Sequence, residues 1–95
     1  MKLTEDIIES RFQLGLHVKE LRTEMSLTQR QFGSMVGLDR SYISRVECGR
    51  CNVTFDNMLL IANGLGVTPS ELLNGVSLSL SLDDESMPIG IGLPR

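Results

Sequence analysis

The 95-residue sequence has no tryptophan, one tyrosine and three phenylalanines, so aromatic side chains can supply little of a hydrophobic core. Apolar residues nevertheless make up 41% of the chain, which is enough for a globular protein. We expect a core of leucine, isoleucine, valine, methionine and phenylalanine. A chain of this length suits one small domain with a modest core.

Long apolar runs are also absent. No run approaches the roughly 18 residues that a membrane-spanning helix needs, so we expect no membrane association. The first ten residues, MKLTEDIIES, are acidic and lack the charged-then-apolar layout of a signal peptide. The sequence therefore predicts a cytoplasmic protein, in which the two cysteines are thiols and not a structural disulfide.

Catalytic motifs are missing as well. The chain has a single histidine, His17, no glycine-rich phosphate loop, and no set of a nucleophile with a base. We expect His17 to lie on the surface. The sequence predicts a protein without enzymatic activity and without a cofactor.

The chain has no excess of positive charge, and its net charge is −3. The charge is unevenly distributed, however. Residues 11–52 carry seven basic and four acidic side chains, whereas residues 1–10 and 53–95 carry net charges of −2 and −4. A basic segment between acidic flanks remains compatible with a polyanionic partner.

Both cysteines lie in one short segment, Glu47-Cys48-Gly49-Arg50-Cys51, with the CxxC spacing of some metal and redox sites. A structural zinc site needs four ligands, and the chain offers two cysteines and one distant histidine. A redox CxxC usually begins a helix, whereas this one closes a helix. We therefore predict no metal site.

Apolar periodicity and capping residues predict five short helices. They are expected from about Ser10 to Met25, from Thr28 to Val36, from Asp39 to Gly49, from Thr54 to Gly66 and from Thr68 to Leu73. The side chains expected to face the core are Leu14, Val18, Leu21, Met25, Phe32, Met35, Val36, Ile43, Val46, Phe55, Met58, Leu59, Ala62 and Leu65.

After Gly75 the apolar period becomes two, which predicts a β-strand or hairpin. We therefore divide the chain into a helical domain, residues 1–75, and a C-terminal tail, residues 76–95. The apolar stripe of the tail predicts pairing with a second copy around a twofold axis. The residues expected in this contact are Val76, Leu78, Leu80, Leu82, Ile89 and Ile91.

The second and third helices are short, are separated by a glycine turn, and leave a row of arginine and serine side chains outside. This is the arrangement that a helix-turn-helix requires. The segments LTQRQFGSMVGLDRSYISRVECGR and LLIANGLGVTPSELL together resemble the Cro/C1-type (XRE-like, phage repressor-like) helix-turn-helix family. The resemblance extends from about Phe12 to Leu73.

The resemblance implies a mainly α, five-helix repressor-like domain that binds double-stranded DNA. It assigns Arg40, Ser41 and Arg45 to the bases, and it pairs Arg22 with Glu47 in a structural ion pair between the first and third helices. The whole set of residues implied in DNA binding is Gln29, Arg40, Ser41, Tyr42, Ser44, Arg45, Arg50 and Asn52.

The resulting prediction is a sequence-specific transcriptional regulator, most simply a repressor, that binds an inverted repeat as a homodimer. Two alternatives stay open. One is an antitoxin-like or antagonist module whose C-terminal tail binds a protein partner. The other is a thiol- or metal-responsive regulator that uses Cys48 and Cys51.

Overall fold

The computed structural model describes the backbone of residues 2–76 and the side chains of residues 3–76. All regular secondary structure in this range is α-helical. The five helices are α1 (Lys2–Glu24), α2 (Gln29–Val36), α3 (Arg40–Glu47), α4 (Phe55–Leu65) and α5 (Pro69–Leu72). Of the strand or hairpin predicted after Gly75, only Val76 is described, and residues 77–95 lie outside the described range.

The first helix begins far earlier than predicted, at Lys2 instead of Ser10. Ser10 resembles a helix-capping residue, but no glycine or proline precedes it to interrupt a helix. The apolar stripe also continues toward the N-terminus, because Leu3 and Ile7 are in helical register with Leu14. The helix therefore has 23 residues, about 34 Å at 1.5 Å per residue.

Side-chain caps fix the beginnings of α2, α4 and α5, as the sequence predicts. Thr28, Thr54 and Thr68 each accept a hydrogen bond from the backbone N–H three residues later. In α2 and α5 the cap is a full capping box, completed by the side chains of Gln31 and Glu71. Asp39 occupies the corresponding position before α3, but its side chain makes no capping hydrogen bond.

The core lies where α1 packs against α3, α4 and α5, and where α2 packs against α3 and α4. Nine apolar side chains of the described residues are buried there, and they come from all five helices. They are Leu14, Val18, Phe32, Ile43, Val46, Ile61, Ala62, Leu65 and Leu72. Leu21, Val36 and Met58 pack against this core and are half-buried.

Four residues that were expected in the core are exposed, so the prediction is wrong for them: Met25, Met35, Phe55 and Leu59. Met25 lies beyond the last turn of α1, and Met35 lies on the outer side of α2. In α4 the buried residues, Ile61, Ala62 and Leu65, lie toward the C-terminal end, whereas Phe55 is the first residue of the helix and is exposed. Apolar periodicity alone could not separate a core face from an exposed apolar face.

His17 is half-buried and not on the surface as expected. Its Nδ1 lies 2.7 Å from the carbonyl oxygen of Leu72. A carbonyl oxygen only accepts, so Nδ1 carries the proton and donates. The bond joins α1 to the end of α5 and satisfies one of the carbonyl groups that a helix terminus leaves without a partner.

Close backbone approach fixes the crossing of α1 and α3. A Cβ atom on Gly15 would clash with the carbonyl oxygen of Val46 and would lie 2.7 Å from that of Glu47. Both atoms belong to backbone and cannot move aside. Gly15 therefore lets α1 lie directly against the C-terminal end of α3.

Candidate nucleic-acid interface

A three-residue turn, residues 37–39, joins α2 to α3. Gly37 has φ 77°, in the left-handed region that glycine adopts without a steric penalty. The N–H groups of Gly37 and Leu38 both donate to the carbonyl oxygen of Gly33, the latter at 2.9 Å. These bonds end α2 and set the direction in which α3 begins.

Gly33 is needed in the middle of α2 because α3 begins so close to it. A Cβ atom at this position would lie 2.5 Å from the carbonyl oxygen of Leu38. Glycine within a helix costs about 1 kcal/mol relative to alanine. Here that cost is offset by the close packing of the turn against α2.

The outer face of α3 presents basic and hydroxyl side chains to solvent. Arg40, Ser41 and Arg45 are exposed and Ser44 is half-buried, while Ile43 and Val46 point into the core. The exposed residues share one face because spacings of one, four and five residues fall within about half a helical turn. The structure therefore brings the predicted base-reading side chains together.

Tyr42 lies at the edge of this face and positions a neighbour. Its hydroxyl accepts a hydrogen bond from Nδ2 of Asn57 at 3.1 Å, which connects α3 to α4. The guanidinium carbon of Arg45 lies 5.6 Å from the centre of the tyrosine ring, within the range of a cation–π contact. Tyr42 thus restricts where the guanidinium of Arg45 can lie.

A buried polar network holds the other end of α3. Glu47 accepts hydrogen bonds from Nε and Nη2 of Arg22, at 2.7 and 2.9 Å, in a two-pronged ion pair. Its Oε1 also accepts from Nε2 of Gln29 at 2.9 Å. The side chains of Arg22 and Glu47 are only 8% and 3% exposed. The ion pair predicted between α1 and α3 is therefore formed, and it also includes the first residue of α2.

Arg22 uses its remaining nitrogen within the same network, because Nη1 donates to the carbonyl oxygen of Leu27 at 2.7 Å. The hydrogen bond to Glu47 and the charge of Glu47 raise the pKa of Arg22 above its ordinary value, although burial acts in the opposite direction. A raised pKa means that the stabilising contribution of the guanidinium is complete below its ordinary pKa and is lost only as the pH rises beyond it. The Arg22 side of the pair therefore stays charged at any physiological pH.

A cleft of about 690 Å³ lies between the beginnings of α2 and α3. Its lining includes Gln29 and three arginines, of which Arg22 is paired with Glu47 and the other two are Arg30 and Arg40. Arg30 was not among the predicted site residues. Its position beside Gln29 in the first turn of α2 is the sequence signal that could have identified it.

The remaining predicted site residues follow α3. Arg50 and Asn52 are exposed in the loop between α3 and α4. Gly49 has φ 70° and lies against α1, since a Cβ atom there would be 2.8 Å from Cα of Phe12. The α1 backbone thus supports the segment that carries Arg50.

Both cysteines are free thiols, with Cys48 exposed and Cys51 half-buried. Cys48 lies one helical turn after Ser44, at the end of the outer face of α3. Within residues 3–76 no group of three or more histidine, cysteine, aspartate or glutamate side chains is placed to hold a metal ion. Nor is any helix of that range long and apolar enough to cross a membrane.

The structure has two short helices joined by a glycine turn. The second helix is held at its inner face and is basic on its outer face. These features define a helix-turn-helix DNA-binding protein. The helix-turn-helix family model matches residues 18–72, more than half of the chain. The chain belongs to this family, in its Cro/C1-type branch.

Individual relatives agree with this assignment. The control protein C.MunI of Mycoplasma sp. is 39% identical over 67 residues, which cover 70% of this chain and 90% of that protein. The control protein C.BamHI of Bacillus amyloliquefaciens is 37% identical over 65 residues, covering 67% and 80%. The crystal structure of the restriction-modification controller protein C.AhdI from Aeromonas hydrophila superimposes with a TM-score of 0.66 at 38% identity, covering 68% of this chain and 94% of that one.

The protein is therefore a DNA-binding transcription regulator and not an enzyme. Its family binds double-stranded DNA.

Proposed function

We propose that the protein is a sequence-specific repressor that binds an inverted-repeat operator as a homodimer, with α3 in the major groove. The observation that carries this proposal is the outer face of α3. Its three exposed polar side chains, Arg40, Ser41 and Arg45, project from a helix whose inner face and C-terminal end are fixed by buried contacts. Folding already fixes the backbone of α3, so DNA binding has to order only the side chains that contact the bases.

Arg40 and Arg45 are assigned to the bases. Arginine is the commonest side chain in specific contacts with guanine, through two parallel hydrogen bonds to O6 and N7. The stacking of Arg45 on Tyr42 supports this role, because it limits the conformations of the guanidinium. Ser41 and Ser44 lie between the two arginines on the same face and are assigned to neighbouring base or backbone contacts.

Phosphate contacts are assigned to both ends of this face. At one end, the cleft lined by Gln29, Arg30 and Arg40 adjoins the N-terminal amide groups of α2, which favour an anion. Nε2 of Gln29 donates one of its two hydrogens to Glu47, and the other can donate to a phosphate oxygen, which only accepts. At the other end, Arg50 and Asn52 are exposed in the loop after α3. Contacts at both ends would fix the helix along the groove.

The homodimer places two α3 helices in half-sites about 34 Å apart. For the contact between subunits, we propose the exposed apolar residues of α4 and of the end of α5, hereafter the α4–α5 surface: Phe55, Leu59, Leu60 and Leu73. Phe55 is 67% and Leu60 43% exposed, which is a large apolar area in contact with water.

Of the tail residues predicted to dimerise, Val76 packs against the core of its own subunit. The other five lie outside the described residues, and their role stays a prediction.

We further propose that the regulated genes belong to a restriction-modification system. The support is that relatives matching two thirds of the chain or more carry the names control protein and restriction-modification controller protein. A dimer bound over a promoter would repress by excluding the polymerase from it.

The proposal is tested by selecting binding sites from a random pool of double-stranded DNA with the full-length protein, in the presence of reductant and chelator. We expect enrichment of an inverted repeat whose half-sites are separated by about one helical turn. The control is the Arg40→Ala/Arg45→Ala variant, which should enrich no sequence although its fold is intact by circular dichroism. Failure of the unmodified protein to enrich any sequence would refute sequence-specific binding.

A thiol response is a second candidate, favoured by one observation. Cys48 is exposed at the end of the outer face of α3, so an adduct on its sulfur would lie at the DNA contact. In this case a disulfide reagent such as oxidised glutathione would weaken operator binding by the unmodified protein. The Cys48→Ser/Cys51→Ser variant would bind equally well with and without the reagent.

A further inference from the structure

One apolar stripe runs along the whole of α1, but the core covers only half of it. Leu14 and Val18 are buried. Leu3 and Ile7 continue the stripe toward the N-terminus at spacings of four and seven residues, yet they are 51% and 40% exposed. Leu3 and Ile7 thus lie on the same stripe as the buried residues of α1 but outside the core.

An apolar groove lies at the boundary between the two halves. It encloses about 340 Å³ and is lined chiefly by Ile7, Leu14, Val53, Met58 and Val76. Arg11 and Asn52 also line it and supply polar groups. The groove belongs to the side of the domain formed by α1, the α3–α4 loop and α4, and none of the exposed arginines of α3 lines it.

The described chain ends in this groove. Val76 is half-buried, packs against the core, and donates its N–H to the carbonyl oxygen of Leu73 at 2.9 Å. Val76 thus connects the groove directly to the residues that follow it in the sequence. The next apolar residues along the chain, Leu78, Leu80 and Leu82, alternate with serines and can present one apolar face when extended.

We propose that residues 78–82 of the same chain lie in extended conformation in this groove and along the N-terminal half of α1. The lengths agree, since four residue steps of an extended segment span about 13 Å. The stripe from Leu14 to Leu3 spans about 16 Å of helix. The three leucines of the segment would then cover Ile7 and Leu3.

The same chain is favoured over a second copy because Val76 already occupies the groove of its own subunit. A segment attached at the edge of its site has an effective concentration in the millimolar range or above, which a separate molecule at micromolar concentration cannot match. The proposal does not require DNA binding, although Asn52 lines the groove and also lies in the loop assigned to phosphate contacts. It also leaves the α4–α5 surface as the contact between subunits.

The consequence for the molecule is a more rigid α1. The backbone of Phe12 lies against Gly49, and Gly15 lies against the end of α3. A tail that holds the N-terminal half of α1 in place would therefore stabilise the helix on which the loop carrying Arg50 rests.

The first test is disulfide cross-linking in the Cys48→Ser/Cys51→Ser background. Ile7→Cys is combined in turn with Leu78→Cys, Leu80→Cys and Leu82→Cys, so that the register need not be known. The matched control combines Glu9→Cys, an exposed position on the opposite side of α1, with the same three substitutions. After mild oxidation at low micromolar concentration, products are separated without reductant and identified by mass spectrometry.

We expect an internal disulfide within a monomer for at least one Ile7→Cys pair and for none of the Glu9→Cys pairs. A covalent dimer through Ile7→Cys would show that the segment comes from a second copy and would overturn the proposal. Cross-linking no greater than in the Glu9→Cys controls would overturn it as well.

Hydrogen exchange of the full-length chain provides an independent measurement. Replacing all three leucines, in Leu78→Ser/Leu80→Ser/Leu82→Ser, should lower the protection of amides in residues 5–12 by roughly tenfold or more. Amides of α3 and α4 should keep their protection. The control variant Ser77→Ala/Ser79→Ala/Ser81→Ala should behave like the unmodified protein. Unchanged protection of residues 5–12 in the leucine variant would contradict the proposal.

Discussion

The helices α3 and α4 have similar core-facing sides but solvent-facing sides of opposite polarity. Each follows an extended residue at its N-terminus, Asp39 or Thr54, and each buries aliphatic side chains in the same core. On the outside, α3 presents Arg40, Ser41 and Arg45, whereas α4 presents an apolar side. The inner faces explain the fold, and the outer faces indicate the partners.

The outer faces differ in the physics of the contact that they favour. Exposed arginines lose little by remaining in water and gain by replacing counterions along a phosphate backbone. Exposed Phe55, Leu59 and Leu60 gain only when another apolar surface covers them. One side of the domain therefore suits a nucleic acid and another suits a protein.

The two helices are also attached in different ways. The packing of α4 is mainly apolar, while the end of α3 is held by directional hydrogen bonds among Arg22, Gln29 and Glu47. Directional bonds specify an orientation better than apolar contacts do, because they lose strength when the angle changes. We interpret the polar network as the device that fixes the angle of α3.

The largest expected effect comes from breaking that network. Glu47→Gln should lower the free energy of unfolding by about 3–5 kcal/mol, because it leaves the buried guanidinium of Arg22 without its counter-charge. Urea denaturation followed by circular dichroism measures the change. The control Glu20→Gln alters an exposed carboxylate of α1 and should have almost no effect. In Arg22→Met/Glu47→Leu much of the lost stability should return, and a loss equal to that of Glu47→Gln would argue against an unpaired charge as the cause.

The outer face of α4 is tested by adding a charge to it. Phe55→Glu should weaken dimerisation by about 2–4 kcal/mol, the range of a central aromatic contact, and should produce monomers at micromolar concentration. Sedimentation velocity measures the oligomeric state. The control Ile8→Glu places the same charge at an exposed apolar position of α1. If Phe55→Glu stays as dimeric as Ile8→Glu, the α4–α5 surface is not the contact between subunits.

The assignment of the outer face of α3 to base contacts is tested by comparing Arg45, on that face, with Arg50, in the loop after it. Arg45→Ala should cost about 1–3 kcal/mol of operator affinity and relax the preference at particular base pairs. Arg50→Ala should instead weaken binding to all sequences and reduce the slope of log affinity against log salt by about one. Fluorescence anisotropy with operator and scrambled duplexes at several salt concentrations separates these outcomes. Losses that are equal and independent of sequence would refute the assignment of Arg45 to the bases.

The smallest expected difference concerns the helix beginnings. Thr54→Ala should lower the free energy of unfolding by about 1 kcal/mol, since the Thr54 hydroxyl accepts a hydrogen bond from the N–H of Asn57. Asp39→Ala should cost less, because the Asp39 side chain makes no such bond. Thermal denaturation of both variants gives the comparison. A larger loss for Asp39→Ala would show that its carboxylate caps α3 in solution.

Local sequence signals were sufficient for most helix boundaries. The threonine caps and the glycines at positions 37 and 66 act through bonds and torsions within a few residues, so they predict where α2, α4 and α5 begin or end. The beginning of α1 was missed because a serine within a helix and a serine at its start look alike in sequence. The pairing of Arg22 with Glu47 was predicted through the family resemblance, and the participation of Gln29 in the network was not.

The sequence by itself determined five helices, an apolar core and a helix-turn-helix with an arginine- and serine-rich outer face, because caps, periodicity and turn glycines are local properties. Only the tertiary structure decided which apolar residues are buried. It placed Ile61 and Leu65 inside but Phe55 and Leu59 outside, and it put Arg30 beside Arg40. Burial depends on which surfaces meet at the crossings of the helices. Those crossings depend on contacts between residues far apart in the chain, such as Gly15 with Val46 and Arg22 with Glu47.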